Sequence, residues 1–330
     1  MMMNEDFIMS ARAVRNGSFN SEPGKSHYLL VPQDSAVPLP EHKRGVAEWV
    51  KALRQAAVWG DDSRDPGKER GDILVFIHGY NNDQAVVMKR HRQLKADLHA
   101  AGYKGAVMSF DWPSAASALN YLEDRHDAKR TAMQLVTDGI RLLAKEQGPG
   151  CAINIHLLGH STGAYVIREA FDDADDVHMT QASWMVSQIA FIAGDISSAS
   201  LAEGNASTEA IYRHCTRFTN YSNGADSVLK LSNAKRVGIS PRVGRVGLPE
   251  NIPGKAVNVD CTDYFTVLNA DAALQAFDQQ ARIGSFDHSW HIGNRVFTRD
   301  LFELLKGDLD RHLFPTREVV AGSIRLKRPA

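Results

Sequence analysis

The feature of this sequence with the most chemical content is a serine framed by two glycines, Gly159-His-Ser161-Thr-Gly163. A serine hydroxyl is a poor nucleophile at neutral pH. It becomes a good one when the backbone lifts it on a sharp turn and a positioned base takes its proton. The apolar run Ile153-Asn-Ile-His-Leu-Leu158 leads into the pentapeptide, and the helix-forming run Ala164-Tyr-Val-Ile-Arg-Glu-Ala-Phe171 leaves it. Strand before and helix after predict that Ser161 sits on a strand-to-helix turn. There the first N–H groups of the helix and its dipole face a developing oxyanion.

Such a serine needs a histidine, and the histidine an acid. In a sheet covered by helices on both faces, reactive groups gather in the loops beyond the carboxyl ends of the strands. Asp226 follows the strand-like Thr216–Tyr221 and closes the turn Ser222-Asn-Gly-Ala-Asp226, while Asp195 ends Val186–Ala193 and is the rival acid. The alternative role for Asp195 is to cap the next helix. Of thirteen histidines, His288 lies in a loop beyond the last predicted strand, and His291 is the alternative base three residues on. The order Ser, Asp, His is one that nucleophile-elbow enzymes use. His160, beside the serine, is expected to point away across the turn and to be structural.

Alternating apolar runs and amphipathic stretches must position these groups. His27–Val31 is a candidate first strand, and Val46, Trp49, Val50, Leu53 and Ala57 share one helical face. Asp61–Gly71 reads as a charged loop and Ile73–Ile77 as a strand buried on both faces. A helix lined by Val87, His91, Leu94 and Leu98 ends at Gly102 and leads to the strand Ala106–Phe110. A helix of roughly twenty residues starts near Asp124 and is broken by Gly148-Pro-Gly150. Three strands follow, Val186–Ala193, Thr216–Tyr221 and Ala256–Val259, the last of them read as the final strand. Helices are expected over Phe265–Ala281 and Thr298–Leu305. Residues 237–255, rich in Gly, Pro and Arg, read as a surface loop. The expected fold is a doubly wound, mostly parallel α/β sheet with helices on both faces, in one domain over 27–315. A poorly ordered lead-in, 1–26, precedes it and a tail, 316–330, follows.

Composition narrows the function. A net charge of −1 and 23% charged residues leave no electrostatic footprint for nucleic acid. Cys151, Cys215 and Cys261 are odd in number and widely spaced, which suggests neither a disulfide framework nor a zinc ribbon and fits a reduced, cytoplasmic setting. No apolar run reaches membrane-spanning length. Metal binding has little support, because His288-x-x-His291 offers two ligands where a site needs three or four, and Asp172-Asp-Ala-Asp-Asp176 lacks the glycine and distal glutamate of a calcium loop. Gly24-Lys-Ser26 resembles the end of a phosphate-binding loop, but Phe19 stands where that loop needs its first glycine. The sequence sets no oligomeric state.

Several pieces taken together, in order, resemble the α/β-hydrolase superfamily, and within it a bacterial branch catalogued as alpha/beta hydrolases of unknown function. They are His78-Gly-Tyr-Asn-Asn82, Ser109-Phe-Asp-Trp-Pro113, Gly159-His-Ser-Thr-Gly163, Ala193-Gly-Asp195, Tyr221-Ser-Asn-Gly-Ala-Asp226 and Asp287-His-Ser-Trp290. The resemblance implies Ser161 as nucleophile, Asp226 as orienting acid and His288 as general base. The branch usually carries glycine before that histidine; here Asp287 replaces it and can act on the histidine or its loop. The elbow architecture implies oxyanion donors at the backbone N–H of Thr162 and Tyr80, with Asn81 as substitute for Tyr80. Only about twenty residues separate Ala193 from Thr216, too few for a large cap domain. The expected activity is hydrolysis of a small-molecule carboxylic ester through an acyl-enzyme, with no cofactor. Transfer of the acyl group to another nucleophile, thioester or amide cleavage, and a non-catalytic binding role are the alternatives.

Overall fold

The computed structural model describes residues 5–62, 65–114, 121–145, 151–176, 184–234, 240–277, 285–307 and 314–327. Strands β1 (Glu5–Arg15) and β2 (Ser18–Pro32) form a hairpin, followed by α1 (Val46–Ala57), β3 (Val58–Asp62) and β4 (Asp65–Ile77). Next come α2 (Gln84–Ala101), β5 (Ala106–Asp111), α3 (Tyr121–Gln134), a π-helical turn over Leu135–Ile140, and α4 (Arg141–Ala144). β6 (Cys151–His160) and α5 (Thr162–Asp176) flank Ser161, and β7 (Val186–Ile192), α6 (Ala206–Arg213), β8 (Cys215–Ser222), α7 (Ser227–Ala234) and α8 (Val243–Val246) succeed them. The chain continues through β9 (Ala256–Asp260), α9 (Thr262–Ala270), α10 (Ala272–Phe277), α11 (Phe286–Ser289), α12 (Arg295–Lys306), β10 (Arg317–Val320) and β11 (Ser323–Leu326).

One sheet takes in all of these strands, in the order β2-β1-β5-β4-β6-β7-β8-β9-β11-β10, with β3 paired to β4. From β1 to β11 every neighbouring pair along that path is parallel. The antiparallel pairs are the hairpins β1/β2, β3/β4 and β10/β11. β4 shows why the sheet is covered twice. Ile73, Val75 and Ile77 enter one apolar layer with α1, α3 and α5, while Leu74 and Phe76 enter a second with α2, α9 and α12. Strand order reverses where β4 lies between β5 and β6, and at that point the carboxyl ends of the strands open a crevice.

Local signals set the helix ends. Asp83 accepts from Val86 N–H at 2.8 Å to start α2, and Gly102 stops it with φ 107°. Asn294 and Gly307 do the same for α12. The long helix expected from Asp124 begins earlier, at Tyr121, and is interrupted by the π turn. Its expected break, Gly148-Pro-Gly150, lies outside the described residues.

The chain ends differ from the sequence reading. Residues 5–26, expected as a poorly ordered lead-in, fall in the β1/β2 hairpin, because Phe7, Ile8, Met9 and Ala11 are buried and the polar residues beside them are paired. Asp6, for instance, meets Arg92 at 2.7 Å and Lys95 at 2.9 Å. The expected loop 61–71 falls largely in the β3/β4 hairpin. β9 is not the last strand, because β11 docks parallel to it from within the expected tail. Arg317 anchors that tail; it is buried, donates to Asp300 at 2.6 Å and to the Tyr221 hydroxyl at 3.2 Å. Within 237–255, Arg242 and Val243 are buried rather than on a surface loop. The crossover from β7 to β8 holds only a 3-10 turn over Ala199–Leu201 and the short helix α6. Among the described residues no helix is long and apolar enough to cross a membrane.

Candidate active site

Ser161 occupies the single residue between β6 and α5, with φ 55°. A left-handed backbone is costly for a residue with a side chain, and contacts on every side hold it. Ser161 N–H donates to Ile192 C=O at 3.0 Å, and its own C=O accepts from Ala164 and Asp195 N–H at 3.1 and 3.0 Å. Gly163 is required by contact, because a Cβ there would overlap the carbonyl of Ile77. A Cβ on Gly79 would come within 2.8 Å of the Ser161 Cβ, so the loop after β4 lies directly against the serine.

Asp226 from the turn after β8 and His288 from the short helix α11, where the sequence reads as a loop, come together. His288 Nδ1 lies 2.7 Å from Asp226 Oδ2, and the other carboxylate oxygen accepts from Leu229 N–H at 2.8 Å. Asp226 therefore caps α7 while it holds the imidazole. Asp287, the residue in place of the branch's glycine, ties the same two segments. Its Oδ2 accepts from Ser227 N–H at 2.7 Å, its Oδ1 from the Ser285 hydroxyl, and its C=O from Asn223 Nδ2 at 3.0 Å. Burial would raise its pKa, but these bonds outweigh burial and lower it.

Ser161 and His288 border one cavity of about 150 Å³, together with Tyr80, Asn81, Asn82 and Arg90. A larger cavity of about 340 Å³ lies on the amino-terminal side of the sheet between Trp59, Tyr103 and Phe302. It contains no serine or histidine, so size does not locate the chemistry. Thr162 is the first residue of α5 and is buried, and its hydroxyl has no hydrogen-bond partner among the described residues.

The rival residues make other side-chain contacts. His291 is fully buried, stacked on Trp290 with ring centroids 4.1 Å apart, and neither ring nitrogen has a hydrogen-bond partner among the described residues. Burial, and then the neighbouring His288, hold its pKa well below the usual imidazole value. Asp195 pairs with Arg242 at 3.3 Å rather than capping a helix.

Four further residues support the site without having been singled out for it in the sequence. Asn82 Nδ2 donates to the carbonyls of Gly79 and Tyr80 at 2.6 and 2.9 Å and fixes the loop after β4. His78 donates from Nδ1 to Gly79 C=O at 2.8 Å and stacks on Trp112. Arg12, from β1, reaches the same loop, donating to Asn82 C=O at 3.2 Å and pairing with Asp111 at 2.8 Å. Burial would raise the Asp111 pKa, but Arg12 and His78 prevail and lower it to about 2. The fourth is His160, expected to point away. Its ring borders the cavity, with the centroid 5.0 Å from that of His288. Among the described residues no group of three or more His, Cys, Asp or Glu is arranged to hold a metal ion.

A family match agrees with this architecture. Residues 63–267 match the model of a family described as alpha/beta hydrolases of unknown function. A protein described as a cell surface hydrolase of Lactobacillus plantarum is similar over 72% of this chain and 93% of its own, at 11% identity and a TM-score of 0.36. An esterase/lipase from an uncultured bacterium is similar over 83% of this chain and 94% of its own, at 13% identity and a TM-score of 0.34. Esterase B of Lactobacillus rhamnosis is similar over 71% of this chain and 75% of its own, at 15% identity and a TM-score of 0.30. No curated protein matches the chain significantly.

Proposed function

The chain belongs to a family of alpha/beta hydrolases of unknown function, and on that footing we propose that it is a serine hydrolase cleaving small-molecule carboxylic esters. The observation that carries this reading is that His288, held by Asp226 at 2.7 Å, opens onto the same cavity as Ser161. A carboxylate accepts and does not donate, so Nδ1 of His288 bears the proton and Nε2 is the base. Nε2 takes the Ser161 proton as the hydroxyl oxygen attacks the ester carbonyl. The imidazolium then protonates the departing alcohol, leaving an acyl-serine, and water repeats the two steps to release the acid.

The negative charge on the tetrahedral oxygen needs donors fixed in advance. Thr162 N–H at the start of α5 is one. Tyr80 N–H is the other, with Asn81 as its substitute. Asn82 draws the Gly79 and Tyr80 carbonyls to itself, and in a trans peptide the N–H points opposite to the C=O. The N–H groups of Tyr80 and Asn81 are thereby turned away from Asn82.

The test is Ser161→Ala measured with p-nitrophenyl acetate and with a fluorophosphonate probe followed by peptide mapping. Loss of both hydrolysis and labelling in a folded variant is expected. Hydrolysis near the wild-type rate would refute the assignment.

A further inference from the structure

Arg90 of α2 is almost completely buried beside this cavity, and its guanidinium reaches two residues at once. One terminal nitrogen is 3.1 Å from His160 Nδ1, and the other donates to the Ser289 hydroxyl at 3.2 Å. A guanidinium can only donate, so His160 Nδ1 must accept, and the proton of a neutral ring then resides on Nε2. That Nε2 is 3.2 Å from the backbone carbonyl of His288, to which it donates. Burial, and then Arg90 and His288, keep the His160 pKa well below the usual imidazole range, consistent with a ring that stays neutral.

His160 is also joined to Ser161 by a peptide bond. Its side chain therefore spans from the residue beside the hydroxyl to the backbone of the residue that bears the base. Asp226 orients the imidazole of His288 from one side, and the Arg90–His160 pair holds the main chain of His288 from another. Arg90 adds a second grip on Ser289. Resting on the hydrolase reading above, we propose that Arg90 and His160 are positioning residues that set the separation between the Ser161 hydroxyl and the His288 imidazole. They exchange no proton and form no bond with the substrate; they act through His288.

The experiment uses the full-length protein with p-nitrophenyl acetate, the fluorophosphonate probe and three variants. His160→Leu keeps neither the donor nor the acceptor, His160→Gln keeps one of each, and Arg90→Lys keeps charge but loses the two-pronged reach. A displacement of about 1 Å in a reacting pair costs on the order of 100-fold in rate. His160→Leu is expected to lower kcat by about that factor with KM within about twofold, and to slow labelling of Ser161 in parallel. His160→Gln should recover to within about tenfold of wild type, with Arg90→Lys between the two. A His160→Leu enzyme as fast as wild type, or leucine and glutamine variants equally slow, would overturn the positioning role. If His160→Leu does not fold, proton–nitrogen correlation spectra of the wild-type ring decide, since the role requires the Nε2-protonated tautomer. A wild-type protein that never labels at Ser161 defeats the hydrolase reading and this role with it. A labelled wild type with indifferent variants defeats this role alone.

Discussion

Asp226 and His288, 62 residues apart in sequence, meet at 2.7 Å through one carboxylate oxygen, while the other oxygen of Asp226 closes the first turn of α7. The two tasks of this side chain are separable by substitution. Asparagine caps a helix as well as aspartate does, but it cannot hold the histidine with the proton on Nδ1 in the same way. Asp226→Asn should therefore leave the melting temperature nearly unchanged and lower kcat about 10⁴-fold, and Asp226→Ala should lose roughly 1 kcal/mol of stability besides. Thermal melts read beside ester hydrolysis separate the two, and an active Asp226→Asn enzyme would remove this carboxylate from the mechanism.

Gly163 is fixed by contact rather than by its φ. Gly163→Ala drives a methyl group into the Ile77 carbonyl, backbone on backbone, with no flexible side chain to give way. The variant is expected to lose more than about 3 kcal/mol or to be insoluble. Gly60→Ala, with nothing within 4 Å of the added carbon, is the control and should be near neutral. Equal urea midpoints for the two would mean that the elbow is looser than described.

Arg12 and Asp111 form a buried pair beneath the loop that carries Tyr80. Removing one partner strands the other charge, so Arg12→Met should cost about 3–5 kcal/mol at neutral pH. Adding Asp111→Asn to it should restore part of that loss. Urea titration at pH 7 reads both, and an Arg12→Met protein within about 1 kcal/mol of wild type would show that the loop does not depend on β1.

Acid should weaken the fold before most carboxylates are protonated. His160 and His291 are buried and held neutral, with pKa values well below the ordinary 6.5. The unfolded chain takes up protons on both below that pH, whereas the folded chain does not. Stability is thus complete above about pH 6.5 and falls by about 1.4 kcal/mol per pH unit per histidine as the pH drops. The urea midpoint at pH 5 should lie clearly below that at pH 7.5, and His291→Leu should flatten the trend. Identical midpoints at the two pH values would contradict it.

The alternation of strands and helices from Ile73 onward is legible in the sequence because fully buried parallel strands read as apolar runs. Ser161 is legible because its turn requires glycines at fixed offsets. β1 is not, since its buried positions include Asp6, Ser10 and Arg12, which read as surface until their partners from α2 and β5 are in place. Arg90 and His160 are hidden for a related reason. Arg90 meets Ser289 across 199 residues, and no local periodicity encodes such a contact. Position after predicted strands leaves Asp195 and His291 open beside Asp226 and His288, and the family resemblance singles out the latter pair; how the turn after β8 and α11 hold them, and the bridge Asp287 makes between the two, appear only in three dimensions.

The hairpins at the two ends of the sheet have a practical corollary. The family match spans 63–267, and a fragment trimmed to it would retain Ser161 and Asp226 but lose His288, α12 and the strands β1, β2, β10 and β11. β5 and β9 would then become raw borders, each offering a row of unpaired N–H and C=O groups to any passing chain. Such a fragment should precipitate as intermolecular β-structure. The terminal segments thus act as caps against self-association as well as parts of the fold.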